Sequence, residues 1–235
     1  MKVEIFSDIA CPWCYIGKTR FERALASYEH RDAVQVVWRS FQLDPDAPQR
    51  EPGSTVDHLA HKYGISRDRA LAMMDGASQV AAEEGLEFHL DRALTANTFD
   101  AHRVAHLAAA MGKGREVMER LMRAYQAEGA NVADHDTLVE LAAAAGLDER
   151  EVRQALESGA YADAVEADLD RAAAYGVTGV PFFVFDQTHG ASGAQPTEFF
   201  LAALRQLGPR ADRADAPGER GPGGREEAGR GITSG

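Results

Sequence analysis

This sequence predicts an α/β fold interrupted by a large all-helical insertion, on three observations. The first forty residues alternate strand, helix and strand; residues 54–175 keep a helical apolar period almost throughout; the chain then returns to two short strands and a closing helix. The order is βαβ, a helical block, then ββα. At 235 residues the chain has room for one such domain with its insertion, and no internal repeat is visible.

Residues 3–6 form a short apolar strand that ends at Ser7 and Asp8. A helix follows from Pro12 to about Tyr28, with Tyr15, Ile16, Phe21, Leu25 and Tyr28 on its apolar side. Proline suits the first helical position because its missing N–H would have no partner there. In a second strand over 34–41, Val34, Val36 and Trp38 alternate with Gln35 and Arg39. Pro45, Pro48, Pro52 and Gly53 close this unit with a loop. In the helical block Ser54 and Ser66 stand as N-caps, and Asp148 with Glu151 has the spacing of a capping box. Gly64, Gly85, Gly146 and Gly176 mark stops, so five to seven helices fit. Residues 182–185 read as a buried strand, 189–192 as a second strand after a tight turn, and the last helix runs from Pro196 to about Leu207. Residues 1–50 and 176–207 are therefore two halves of one domain, and 51–175 are the insertion. Residues 208–235 hold eight Gly, three Pro and one large aliphatic, Ile232. They read as a disordered tail, too poor in apolar surface to offset the entropy of ordering.

Thirty-seven acidic side chains against 25 basic ones give a net charge of −12, which repels nucleic-acid phosphates and acidic membranes. No apolar run is long enough to span a bilayer or to serve as a signal peptide, so a cytoplasmic protein is expected. Two cysteines cannot build a disulfide scaffold.

Those two cysteines, Cys11-Pro12-Trp13-Cys14, sit where the first strand hands over to the first helix. The unpaired N–H groups and positive dipole end of that helix stabilise a thiolate at Cys11, the nucleophilic form. Two intervening residues let Cys14 reach it and close a disulfide, so Cys11 attacks a substrate disulfide and Cys14 resolves the mixed disulfide. Two other readings stand beside this one. The pair is half a zinc site completed by His102 and His106, four apart on a helix, or it is two inert core cysteines.

The remaining candidates are weaker. His58 and His61 could hold a metal but read as solvated surface, and no metal site is expected. Met73, Met74, Met111, Met118 and Met122 fill a core or a groove, and Glu83, Glu84, Asp168 and Asp170 read as solvated helix faces. No phosphate-binding glycine motif is present, so a nucleotide cofactor is unsupported. Pro181, at the start of the 182–185 strand, reads as trans on base rates alone.

The run Ser7-Asp8-Ile9-Ala10-Cys11-Pro12-Trp13-Cys14-Tyr15-Ile16-Gly17, with Gly179-Val180-Pro181-Phe182-Phe183-Val184 and Ser192-Gly193-Ala194-Gln195-Pro196 downstream, resembles the FrnE-type branch of the DsbA family over about residues 1–207. The resemblance implies a thioredoxin-like fold with a helical insertion and a thiol-disulfide oxidoreductase or isomerase. Cys11 and Cys14 become its catalytic pair, working through their own redox-active disulfide with no other cofactor than, at most, a low-molecular-weight thiol. Pro12 and Trp13 lie at the substrate site. Pro181 matches the family's cis-proline, which reverses the trans reading and turns the Val180 backbone toward an extended substrate. Ser192 and Gln195 belong near the same end of the sheet, and Asn97 reaches toward it from the insertion. The implied partner is a protein or small-molecule disulfide or thiol. The same branch includes 2-hydroxychromene-2-carboxylate isomerase and kappa-class glutathione transferase, which use serine where Cys11 stands and act on small substrates. That leaves a thiol-dependent isomerase or transferase of a small aromatic or polyketide-like compound as the alternative, and retention of both cysteines favours disulfide exchange.

Overall fold

A computed structural model describes residues 1–48 and 53–208. Beyond Gly208 the expected tail lies outside the described residues, as does the stretch of the expected loop around Pro52.

Strand β1 (Lys2–Ser7) leads into helix α1 (Pro12–Ala26) and strand β2 (Gln35–Ser40). A two-stranded ribbon, β3 (Gly53–Ser54) with β4 (Leu94–Thr95), flanks α2 (Thr55–Tyr63) and α3 (Arg67–Glu83). The block continues through α4 (Phe99–Ala110), α5 (Gly114–Arg123), a π-turn over Ala124–Glu128, α6 (His135–Ala144), α7 (Glu149–Ser158) and α8 (Ala162–Ala174). Strands β5 (Phe182–Phe185) and β6 (His189–Ser192) and helix α9 (Thr197–Leu207) complete the chain. The seven α-helices between 55 and 174 match the upper end of the expected range. Helix α1 stops two residues short of Tyr28, which is buried all the same.

Capping follows the sequence signals at Ser66, Asp148 and Gly64, whereas Ser54 holds the N-cap position of α2 without a side-chain bond. Ser66 Oγ accepts the Arg69 N–H at 3.2 Å, and Asp148 accepts those of Arg150 and Glu151 at 2.9 and 3.2 Å. Gly64 ends α2 in the left-handed region, at φ 60°. The β3–β4 ribbon was invisible to periodicity, because two residues per strand make no pattern.

The main sheet runs β2-β1-β5-β6. Strand β1 is parallel to β2, with Ile5 opposite Trp38, and antiparallel to β5, with Ile5 opposite Phe183. Alternation along the strands sorts side chains to two faces. Val3, Ile5 and Phe183 pack with Phe21 of α1 and Phe200 of α9, the Phe183 and Phe200 rings centred 4.5 Å apart. Phe6 and Val184 turn the other way, onto Ala172 of α8 and Val177.

The expectation of a solvated face at Asp168 is overturned. Its side chain is 2% exposed, because α8 packs against the edge strand β2 and the carboxylate reaches into the contact. There it accepts the Ser40 N–H at 2.9 Å and a bond from Arg39 Nη1 at 2.9 Å, and it lies 3.1 Å from His106 Nε2. Arg39 also grips the buried Glu4, through Nε at 2.8 Å. Glu84 is likewise paired rather than solvated, 2.6 Å from Arg20 of α1. Burial pushes the Asp168 carboxyl up, but the His106 ring, the Ser40 N–H and the Arg39 guanidinium together hold it below the usual carboxylate range.

Asp168→Ala leaves the Ser40 N–H without its acceptor and the Arg39 guanidinium with one buried partner fewer. Urea unfolding at pH 7 should show a loss of about 3 kcal/mol, the scale on which a broken buried ion pair is measured. A carboxyl with a depressed folded pKa contributes stability that is complete above its unfolded value, about 3.9, and is lost as pH falls through the folded one. Below pH about 4 the Asp168→Asn chain should therefore lose stability less steeply than the native chain, and equal slopes would exclude Asp168 as the titrating group.

Candidate active site

The site is built where β1 ends. Asp8 turns the chain, its backbone carbonyl accepting the Cys11 N–H at 3.1 Å while its carboxylate accepts the N–H of Ala10 at 3.3 Å and of Leu43 at 2.8 Å. Cys11 then stands as the N-cap of α1 in extended backbone, with Pro12 as the first helical residue. The Cys14 N–H donates to the Cys11 carbonyl at 3.1 Å, which brings the second sulfur under the first. Both cysteines are free thiols, 3% and 1% exposed. Burial, reinforced by the neighbouring Cys11 sulfur, pushes the Cys14 thiol well above the ordinary range.

The segment before β5 forms the other lip. The Val180–Pro181 bond is cis, the form implied by the family resemblance rather than by base rates. Cys11 Sγ donates to the Val180 carbonyl at 3.5 Å. Helix α1 can approach this turn closely because residue 17 is glycine: a Cβ there would lie 3.0 Å from Pro181 Cγ.

Between these lips and the helical block opens a cleft of about 420 Å³. Cys11, Pro12, Trp13 and Val180 line it, so the structure brings these four expected site residues together. Trp13 is 42% exposed at its rim. Met73 and Met74 of α3 belong to the opposite wall, which answers the choice between core and groove for these two methionines. A larger and more open groove of about 670 Å³ runs beside the edge strand β2 but carries neither cysteine.

The other expected residues lie elsewhere. Asn97 is buried beside the cleft but turned from it: its amide donates to the Pro45 carbonyl at 2.8 Å, and its Oδ1 accepts the Phe99 N–H at 2.9 Å. It satisfies the first N–H of α4 from the residue before the N-cap, Thr98, and ties down the preceding loop. Gln195 Nε2 donates to the Ser192 carbonyl at 2.7 Å, closing a turn whose Ala194 carbonyl receives Arg20 of α1 at 2.7 Å. Neither Ser192 nor Gln195 lines the cleft. The histidines of the zinc reading are committed to other partners. His102 Nε2 donates to the Phe41 carbonyl at 3.0 Å, and His106 Nε2 lies 3.1 Å from both Ser40 Oγ and Asp168. Among the described residues no three His, Cys, Asp or Glu side chains converge as a metal site.

Two contributors escaped the sequence reading, and a third, His102, enters it only as a zinc ligand. Gln126, on the π-turn and fully buried, donates Nε2 to the Ile9 carbonyl at 3.0 Å, tying the cysteine turn to the insertion. Tyr125 beside it also faces the cleft, and burial, helped by the Asp8 carboxylate, pushes its hydroxyl well up. His102 sits behind the turn, 3.6 Å from Asp8. The π-turn marks the first two only in three dimensions, since a one-residue helical insertion has no sequence signature.

Comparison with known proteins agrees with this architecture. A crystal structure of a probable DsbA oxidoreductase from Streptomyces coelicolor is 48% identical, with a TM-score of 0.83 over 88% of this chain and 89% of that one. The uncharacterized protein YwbO of Bacillus subtilis (strain 168) is 31% identical over 81% of this chain and 90% of its own length. The cytosolic disulfide reductase DsbM from Pseudomonas aeruginosa, solved with GSH, shares the fold at 21% identity, with a TM-score of 0.62 over 88% of this chain and 99% of that one. The DSBA-like thioredoxin domain family matches residues 2–205, nearly the whole described chain, and with its sheet, its helical insertion and its Cys11/Cys14 turn the chain belongs to that family.

Proposed function

We propose that the chain is a cytoplasmic thiol-disulfide oxidoreductase or isomerase that exchanges disulfides through Cys11 and Cys14. The carrying observation is the position of Cys11: N-cap of α1, sulfur at the Val180 carbonyl, opening onto the cleft, with Cys14 buried beneath it. As thiolate, Cys11 attacks one sulfur of a disulfide R–S–S–R′. The Cys11–S–R bond forms, and R′S⁻ leaves and takes up a proton. Cys14 gives up its proton and its thiolate attacks Cys11 Sγ. RS⁻ leaves, and the Cys11–Cys14 disulfide closes, two electrons having passed to the substrate. Two equivalents of a low-molecular-weight thiol return them by the same steps reversed.

The helix start supplies unpaired N–H groups that favour negative charge on Cys11. The raised Cys14 thiol keeps the second sulfur protonated until the mixed disulfide has formed, which orders the two steps. Possession of both sulfurs supports exchange over thiol-assisted isomerisation of a small aromatic compound, which needs one nucleophile. The cytoplasmic part of this reading draws support from the fold shared with a cytosolic reductase. In a reducing compartment an enzyme of this kind works as reductase or isomerase.

Two measurements test this. Iodoacetamide at pH 7, read by peptide mass, should modify Cys11 ahead of Cys14, and Cys14 should follow only at higher pH. A Cys14→Ser chain should accumulate mixed disulfides at Cys11 and a Cys11→Ser chain none; if Cys14→Ser forms no adduct with any small disulfide, exchange is excluded.

A further inference from the structure

Building on the exchange reading, we propose that the cleft beside Cys11 recognises a low-molecular-weight thiol or disulfide by an uncharged apolar group, aromatic or aliphatic. Carboxylate-bearing thiols of the glutathione kind are disfavoured. Six large hydrophobic side chains are exposed among the described residues, and four of them, Trp13, Leu43, Tyr63 and Met73, gather around this one cleft. Single exposed apolar residues are ordinary on any surface, but a cluster at one opening marks a binding face. Met74 and Leu90 continue the apolar wall inside, and Ala77, Ala93 and Ala96 leave it room. A volume of about 420 Å³ suits a small ligand and not a folded domain.

Charge narrows the choice. Among the described residues the acidic, basic and histidine side chains on the wall are Asp8, Asp44, His58 and Lys62. Each is already engaged: His58 Nε2 lies 2.9 Å from Asp44 Oδ2, Lys62 Nζ donates to the Leu43 carbonyl at 2.7 Å, and buried Asp8 accepts the Ala10 and Leu43 N–H groups. Two carboxylates against one lysine leave no positive surplus among these residues to receive a ligand carboxylate. The chain's net charge of −12 adds repulsion at longer range. A carboxylate entering here would lose hydration and meet only Lys62, already bonded to the Leu43 carbonyl and outnumbered by two carboxylates, whereas an apolar group gives up no such hydration.

The test uses Cys11 as its own reporter. The reduced full-length chain is treated at pH 7 with N-benzylmaleimide or with N-(2-carboxyethyl)maleimide, and each rate at Cys11 is divided by the same reagent's rate with N-acetylcysteinamide in solution. In both reactions the thiolate adds to one alkene carbon, the C–S bond forms, and the resulting enolate takes a proton from water. The normalised benzyl rate should exceed the carboxyethyl rate by about tenfold or more, the discrimination an apolar pocket achieves. Met73→Lys, at an exposed position that does not endanger folding, should shrink that ratio severalfold, and Met73→Glu should enlarge it. A native ratio near one overturns the proposal. So does protection of Cys11 by an apolar, cysteine-free pentapeptide but not by benzyl methyl sulfide, which would assign the cleft to polypeptide instead. The underlying reading is tested separately with bis(2-hydroxyethyl) disulfide on the Cys14→Ser chain. Exchange with a flat maleimide ratio removes the apolar assignment alone, and a steep ratio without exchange removes the exchange reading alone.

Discussion

Asp8 is 1% exposed, so its carboxylate must be satisfied by protein donors, and the donors it finds decide where Cys11 sits. The Ala10 N–H closes the turn, the Leu43 N–H fastens the chain that follows β2, and His102 of α4 stands behind. Parallel pairing of β1 with β2 carries Ser7 opposite Ser40, so both strands deliver their C-terminal ends to this one carboxylate. The helix start, the cysteine pair and the cleft wall at Leu43 are therefore one construction. In an open sheet with parallel strands such a crevice beyond the carboxyl ends is where ligands bind.

The helical block is joined to that construction by polar contacts set in apolar surroundings. Asp168 of α8 grips β2, and Gln126 of the π-turn grips the Ile9 carbonyl. Around them the apolar core runs without a break from Cys11, Cys14 and Tyr15 into α3, α4 and α5. The apolar part is the source of stability, and the polar part restricts the block to one seating, since a slide of α8 would strand a buried carboxylate and an arginine together. Gln126 Oε1 and His102 Nδ1 find no hydrogen-bond partner among the described residues, so buried polar chemistry next to the turn is kept at a cost.

What could be read in advance were the features that leave a one-dimensional trace. Strand alternation, helical period, caps and the Cys11/Cys14 spacing at a strand-to-helix junction are local, and the structure matches them to within a residue or two. Asp168 was misread because a carboxylate reads as solvated by residue type; its spacing from Val165 and Ala172 puts it on the buried face of α8, and its partners come from β2, some 130 residues earlier in the chain. Asn97 was expected to reach toward the site and could not be read as a tether, since its loop partners are about fifty residues away. Gln126 left no trace, a lone glutamine in a helical run being unremarked until a π-turn aims it at Ile9. The cis Val180–Pro181 bond was legible only through family resemblance, because X-Pro base rates point the other way.

In the proposed exchange, the Val180 carbonyl links the redox chemistry to the choice of ligand. In the dithiol it accepts the Cys11 S–H. Once Cys11 loses its proton, that donor is gone, and a carbonyl facing a thiolate in a cleft edged with apolar side chains is left with an unfilled acceptor. An incoming substrate that brings an apolar group for the wall and a single N–H or O–H for Val180 restores what ionisation removed, and its sulfur then lies beside Cys11 Sγ. A substrate that brings a carboxylate instead adds a third negative group near the thiolate and Asp8, with His58 and Lys62 already occupied. On the proposed reading, the groups that would make Cys11 a nucleophile also set what it is offered.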